Sequence, residues 1–195
     1  MKIECNELQR DSYDFVSEWM KHADIVTDDP FFRFVCYYIA FNHLYNSREL
    51  WDEERKNTIR ERERKTNRRA YERDCICAFL RKWARKLSFS VSNEEFSLLG
   101  GVRRDAPDLE NDADEKKRVM RCLGAYGYGL DDEEKKVTFV LIKIYHARCN
   151  LFHGEKHVTS ARDKRIAECS AEVLKRLLEE VVHQKIYSIE HLVRD

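Results

Sequence analysis

Near position 150 three side chains able to hold an anion or move a proton stand close together in the segment Arg148-Cys149-Asn150-Leu151-Phe152-His153-Gly154. A guanidinium offers a planar fork of donors that suits phosphate or carboxylate oxygens. An imidazole changes charge near neutral pH and can take or give a proton. The rest of the chain lends these groups no global field, since 36 Lys and Arg face 36 Asp and Glu, for a net charge of +0. Binding to nucleic acid would therefore need a local basic patch. The only such piece is Lys65 to Arg69, where Arg68 and Arg69 are RNA-contact candidates. Glu53, Glu54, Glu61, Glu63 and Glu72 dilute the wider stretch from Arg55 to Arg73, which reads first as a solvated helix with intrahelical ion pairs.

The elements that must position these groups are helices. Only 6 Gly and 2 Pro interrupt 195 residues rich in Glu, Lys, Arg and Leu, which favours an all-α chain. Wound at about 100° per residue, the helix from 131 to about 153 places Val137, Val140, Leu141, Ile144, Leu151 and Phe152 on one apolar stripe. Arg148 falls in the middle of it, so its charge must find a partner or reach solvent. The opposite face carries His146, Asn150 and His153, extended by Phe139 and Ile142. Two such faces call for packing on both sides. Asp131 to Glu134 supplies negative charge at the helix start, and Gly154 suits its C-cap.

Three further helices complete the reading. The first covers about 6–23, with Leu8, Phe15, Trp19 and Met20 as core candidates. The second covers 30–50, opened by Asp29 as N-cap and Pro30 in the first turn. It is apolar over most of its circumference and should be central. The last covers about 160–184, with Ile166, Val173, Leu174, Leu177, Leu178 and Val181 at helical spacing. These four imply a four-helix up-and-down bundle within a single domain, 1–195, in which 51–130 is a helical insertion between the second and third core helices. In the insertion, helical spacing returns at Tyr71, Ile76, Phe79, Leu80, Trp83 and Leu87. Ser92 to Glu95 fits a capping box, with a short helix to Leu99 ended by Gly100-Gly101. Residues 102–130, with Gly124 to Gly129, are the least regular part.

Seven cysteines at irregular spacing, with Cys75 and Cys77 the only close pair, read as reduced thiols of a cytoplasmic protein and not as a disulfide framework or a zinc site. No run of about 18 apolar residues suggests a membrane span, and the N-terminus has no apolar run of the signal-peptide kind.

The string Arg148-Cys149-Asn150-Leu151-Phe152-His153-Gly154-Glu155-Lys156 resembles the signature of the HEPN superfamily, helical bundles many of which are metal-independent ribonucleases. One branch of it reads Arg-Asn-Asn-Leu-Phe-His-Gly-Gly-Lys. Tyr38-Ile39-Ala40-Phe41-Asn42-His43-Leu44-Tyr45-Asn46 is similar to the aromatic, Asn-containing helix of that branch. Cys149 replaces a polar residue and Glu155 replaces the second Gly. The resemblance implies an endoribonuclease that needs no metal or other cofactor. RNA would be cleaved by its own 2′-OH to a 2′,3′-cyclic phosphate and a 5′-hydroxyl. His153 would be general acid or base, Arg148 would stabilise charge on the phosphoryl oxygens, and Asn150 would orient the phosphate or His153. Lys156, His146, Asn42 and Asn46 join Arg68 and Arg69 as candidate substrate contacts, although residues such as the two Asn are more often buried structural amides and His146 reads first as a packed or interface residue.

Residues five apart on a helix point roughly 140° from one another, so Arg148 and His153 converge only if the helix ends nearby or two protomers share a cleft. A twofold homodimer across Phe139, Ile142, His146, Asn150 and His153 is the expected assembly. The biological settings implied are toxin–antitoxin pairing, phage defence or RNA processing, with an antitoxin or defence-system protein as partner. The alternative is a catalytically inactive HEPN-like module that binds RNA, a nucleotide or a partner protein.

Overall fold

A computed structural model describes residues 2–51, 53–66, 72–83, 87–102, 132–152 and 160–183. Among these residues the chain is all-helical, without strands. The order is α1 (Lys2–Ile25), α2 (Pro30–Asn46), a 3-10 turn (Arg48–Leu50), α3 (Glu53–Thr66), α4 (Glu72–Trp83), α5 (Asn93–Gly100), α6 (Asp132–Phe152) and α7 (Ala161–His183). No described helix is long and apolar enough to cross a membrane.

α2 is the central element, as its apolar circumference requires. Phe34, Cys36, Tyr37, Tyr38, Ala40, Phe41, Leu44 and Tyr45 are all buried. Its most extensive contacts are with α7 and α1, and α4 packs against it as well. Asp29 caps it, accepting from Phe31 N at 2.9 Å and Phe32 N at 3.1 Å, with Pro30 in the first turn where no N–H is needed. The helix ends at Asn46, four residues before the expected Leu50. Ser47 turns extended and its Oγ donates to His43 O at 2.8 Å. The Trp51 indole folds back to donate to Tyr45 O at 2.7 Å. Side chains thus satisfy carbonyls that another helical turn would have used.

α1 turns inward the stripe that carries Trp19 and Met20, with Phe15 at its margin. Val16 and Ala23 are fully buried, and Trp19 and Met20 are packed against the core. Phe15 is 36% exposed and lies at the edge, its ring centroid 4.6 Å from that of His43. The side chain of Leu8 lies outside the described residues.

α7 buries Ile166, Val173, Leu174, Leu177, Leu178 and Val181 as its spacing demands. In α4, Ile76, Phe79, Leu80 and Trp83 are buried in the same cluster, with Leu87 just beyond the helix. α4 contacts both α2 and α6, and α5 contacts both α6 and α7. The short helices of 51–130 therefore share one core with the long ones. α5 carries the capping box in full: Ser92 Oγ accepts from Glu95 N at 3.2 Å, and Glu95 Oε2 accepts from Ser92 N at 2.8 Å. The Gly124–Gly129 segment, Tyr71 and Gly154 lie outside the described residues.

The face of α6 expected to meet a second protomer is covered within one chain. Ile142, His146 and Asn150 are all buried. Phe139 packs on Phe96 of α5, with ring centroids 5.4 Å apart, and lies against Gly100, where an added Cβ would sit 3.5 Å from its ring. Lys143 reaches across to donate to Val102 O at 2.8 Å. The second apolar face of the helix is thus met by intrachain packing at these residues; His153, at its end, lies outside the described residues.

Candidate active site

α6 delivers its candidate residues from a firmly anchored rod. Val140, Leu141, Ile142 and Ile144 are fully buried, so the helix cannot roll without opening the core. Arg148 continues the stripe one turn beyond Ile144 and meets α2. Its guanidinium carbon stands 5.4 Å from the centroid of the Tyr38 ring, a cation over an aromatic face. Arg148 is half-buried. Loss of water disfavours its charge, but Tyr38, a hydrogen bond with Cys149 and the Glu72 carboxylate outweigh that loss and hold its pKa above the ordinary value.

Behind that ring runs a chain of hydroxyls. The Tyr38 and Tyr45 oxygens are 2.8 Å apart, and Tyr45 donates to Glu72 Oε1 at 2.9 Å. Since Tyr45 commits its one proton to Glu72, Tyr38 is the donor to Tyr45. Burial drives the pKa of both phenols upward, so both are neutral at physiological pH. The two tyrosines are seven residues apart, two turns on one face of α2. Glu72 stands in the first turn of α4, where the helix dipole favours a carboxylate. Three elements therefore converge on Arg148: α6 supplies it, α2 supplies the ring, and α4 supplies the anion at the end of the chain.

The other candidates fall into distinct surroundings. Asn150 and His146 are 3% and 1% exposed, on the covered side of α6, with the His146 ring 5.5 Å from that of Tyr145. Cys149 is a buried free thiol. Asn42 and Asn46 are partners of each other: Asn46 Nδ2 donates to Asn42 O at 3.0 Å and also to Asn42 Oδ1. That pairing finishes the C-terminal turn of α2, the structural-amide reading of these two residues. His153, Lys156, Arg68 and Arg69 lie outside the described residues.

The charged stretch behaves as its composition suggests. Lys65 pairs with Glu61 at 2.6 Å, both exposed, four residues apart on α3. Arg48 Nη2 donates to both oxygens of Glu63 at 3.0 Å, and Arg81 Nη2 donates to Glu54 Oε2 at 2.8 Å. Its acidic residues thus neutralise neighbouring bases.

Tyr38, Tyr45 and Glu72 were not among the sequence candidates. The spacing of the two tyrosines signalled a shared face, but nothing in the sequence placed Glu72 beside it. Glu72 sat in a segment whose alternating charges read as solvated.

Comparison with protein-family models, with curated proteins and with solved structures returns no match for this chain.

Proposed function

We propose that this chain is a metal-independent endoribonuclease of the HEPN type, with Arg148 and His153 at its centre. The observation that carries the reading is the Arg148–Lys156 string, whose residues 148–152 close an internal helix, with its arginine half-buried over an aromatic ring of the helix similar to that of the same branch. In this reading the RNA 2′-oxygen attacks the adjacent phosphorus and the bond to the 5′-oxygen breaks. His153 takes the proton from the nucleophile or returns one to the leaving oxygen. A second copy of the chain supplies the histidine for the other transfer. Arg148 faces the charge that grows on the phosphoryl oxygens. The burial of Asn150 favours the second of its two roles, holding His153 in place and not touching the phosphate itself.

The test is cleavage of a labelled single-stranded RNA in EDTA by wild type and His153→Ala, with analysis of the product ends. Cleavage to 2′,3′-cyclic phosphate and 5′-hydroxyl ends by wild type alone is the expected result. Equal cleavage by both proteins would assign the activity to a contaminant. RNA bound but uncut by wild type would leave a binding module that lacks the chemistry, a reading compatible with the buried thiol of Cys149 in the polar position of the motif.

A further inference from the structure

The contact that fixes Arg148 is more elaborate than a buried cation requires. Arg148 lies over the face of Tyr38, and the Glu72 carboxylate stands at the far end of two hydroxyls. That arrangement has a directional consequence. Glu72 draws the proton of Tyr45, Tyr45 in turn draws the proton of Tyr38, and each hydrogen bond polarises the next. The Tyr38 oxygen thereby gains electron density and passes it into the ring, whose face becomes a better seat for a cation. Glu72 meanwhile contributes favourable field at Arg148.

We propose that Tyr38, braced by Tyr45 and Glu72, is the positioning residue for Arg148, holding the guanidinium by its face. This rests on the reading of Arg148 as the group that meets the scissile phosphate, and it assigns that reading a specific support on another helix. The ring, anchored at its hydroxyl end, leaves Arg148 few alternative rotamers. Tyr38 itself touches no substrate. Its contribution is the placement of a group that must be within a fraction of an ångström of a developing charge.

Two measurements test the placement. The first needs no variant: ring currents of Tyr38 should move the Arg148 side-chain proton resonances upfield in wild type. The shift should persist in Tyr38→Phe, which keeps the ring, and vanish in Tyr38→Leu. Ordinary Arg148 resonances in wild type would overturn the proposal even if Tyr38→Leu fails to fold. The second is steady-state cleavage of RNA. Tyr38→Leu should lower kcat on the order of 10-fold or more with a smaller change in KM, while Tyr38→Phe, which keeps the ring but loses the hydroxyl brace, recovers only part of the rate. Folded Tyr38→Leu with undiminished kcat would also overturn the proposal while the ribonuclease reading survives. Wild type that is inert on RNA but shows the upfield shift would do the reverse, sinking the ribonuclease and keeping Tyr38 as the seat of Arg148.

Discussion

Arginine serves two opposite purposes in the end of α6 and in the charged run of α3. On α3, Arg60 and Arg64 are exposed and the neighbouring Lys65 pairs with Glu61 along the same helix. Such charges keep a helix solvated and register little of their tertiary surroundings. On α6, Arg148 is half-buried, lies over Tyr38 and is tied electrostatically to a carboxylate on a third helix. The residue type is shared and the chemistry is not. Desolvation makes the difference, because a cation stripped of part of its water responds strongly to every oriented group around it. A count of basic residues would have pointed to α3, whereas burial points to α6.

The sharpest way to break that contrast is to remove one arginine from each region. Arg148→Ala should lower RNA cleavage on the order of 10²-fold or more, the usual cost of losing a group that stabilises transition-state charge. Arg148→Lys should fail as well, since an ammonium keeps the charge without the planar fork. Arg60→Ala should leave the rate within about 2-fold, as expected of a solvated side chain. Rates on a labelled RNA, with folding checked by circular dichroism, decide the matter. A large loss in Arg60→Ala would move the site to α3.

Stability should divide in the same way. Phe41 is fully buried in α2, with its ring 5.0 Å from that of Tyr45. Phe41→Ala should cost about 3–5 kcal/mol, transfer and cavity together, read from a denaturant titration. A cost near zero would mean that α2 is not the centre of the core. At the edge of α5, Ser92→Ala removes one half of the capping box and should cost about 1 kcal/mol. An unchanged midpoint would show that α5 is held by packing alone.

How much of this could be read from the sequence differs by the range of the interaction. The cap at Asp29, the box at Ser92 and Glu95, and the apolar stripe of α7 all depend on residues within a few positions of each other, and periodicity made them visible. The end of α2 was hidden because Trp51 supplies its indole from beyond the helix. On α1, Trp19 and Met20 pack as their spacing suggests, whereas Phe15 is large and apolar yet lies at the margin of the buried face, where an aromatic can stack on His43 and still meet water. The second face of α6 was legible as apolar, but α5 and not a second protomer meets it at Phe139. At the site, Arg148 was visible as an anomaly within an apolar stripe. Its seat was not, because Tyr38 and Glu72 come from helices more than seventy positions away and no local rule connects them.

The smallest expected effect lies in α3 and sharpens the contrast from its weak side. Glu61 and Lys65 make a short contact, yet both are exposed, and water and salt screen the pair. The bond to Lys65 and its charge lower the Glu61 pKa against a weaker opposing effect of desolvation. The sign follows directly. A carboxyl whose folded pKa is depressed contributes stability above its unfolded pKa and loses it as pH falls through the folded one. Glu61→Gln should therefore leave the unfolding midpoint unchanged at physiological salt. Any difference from wild type should show only at low ionic strength and neutral pH, and close as the pH drops below the carboxylate range. Thermal melts of the two proteins at two salt concentrations and two pH values are enough. A large loss of stability that survives high salt would show that α3 depends on this pair as Arg148 depends on its ring, and the distinction between solvated and seated cations would fail for this chain.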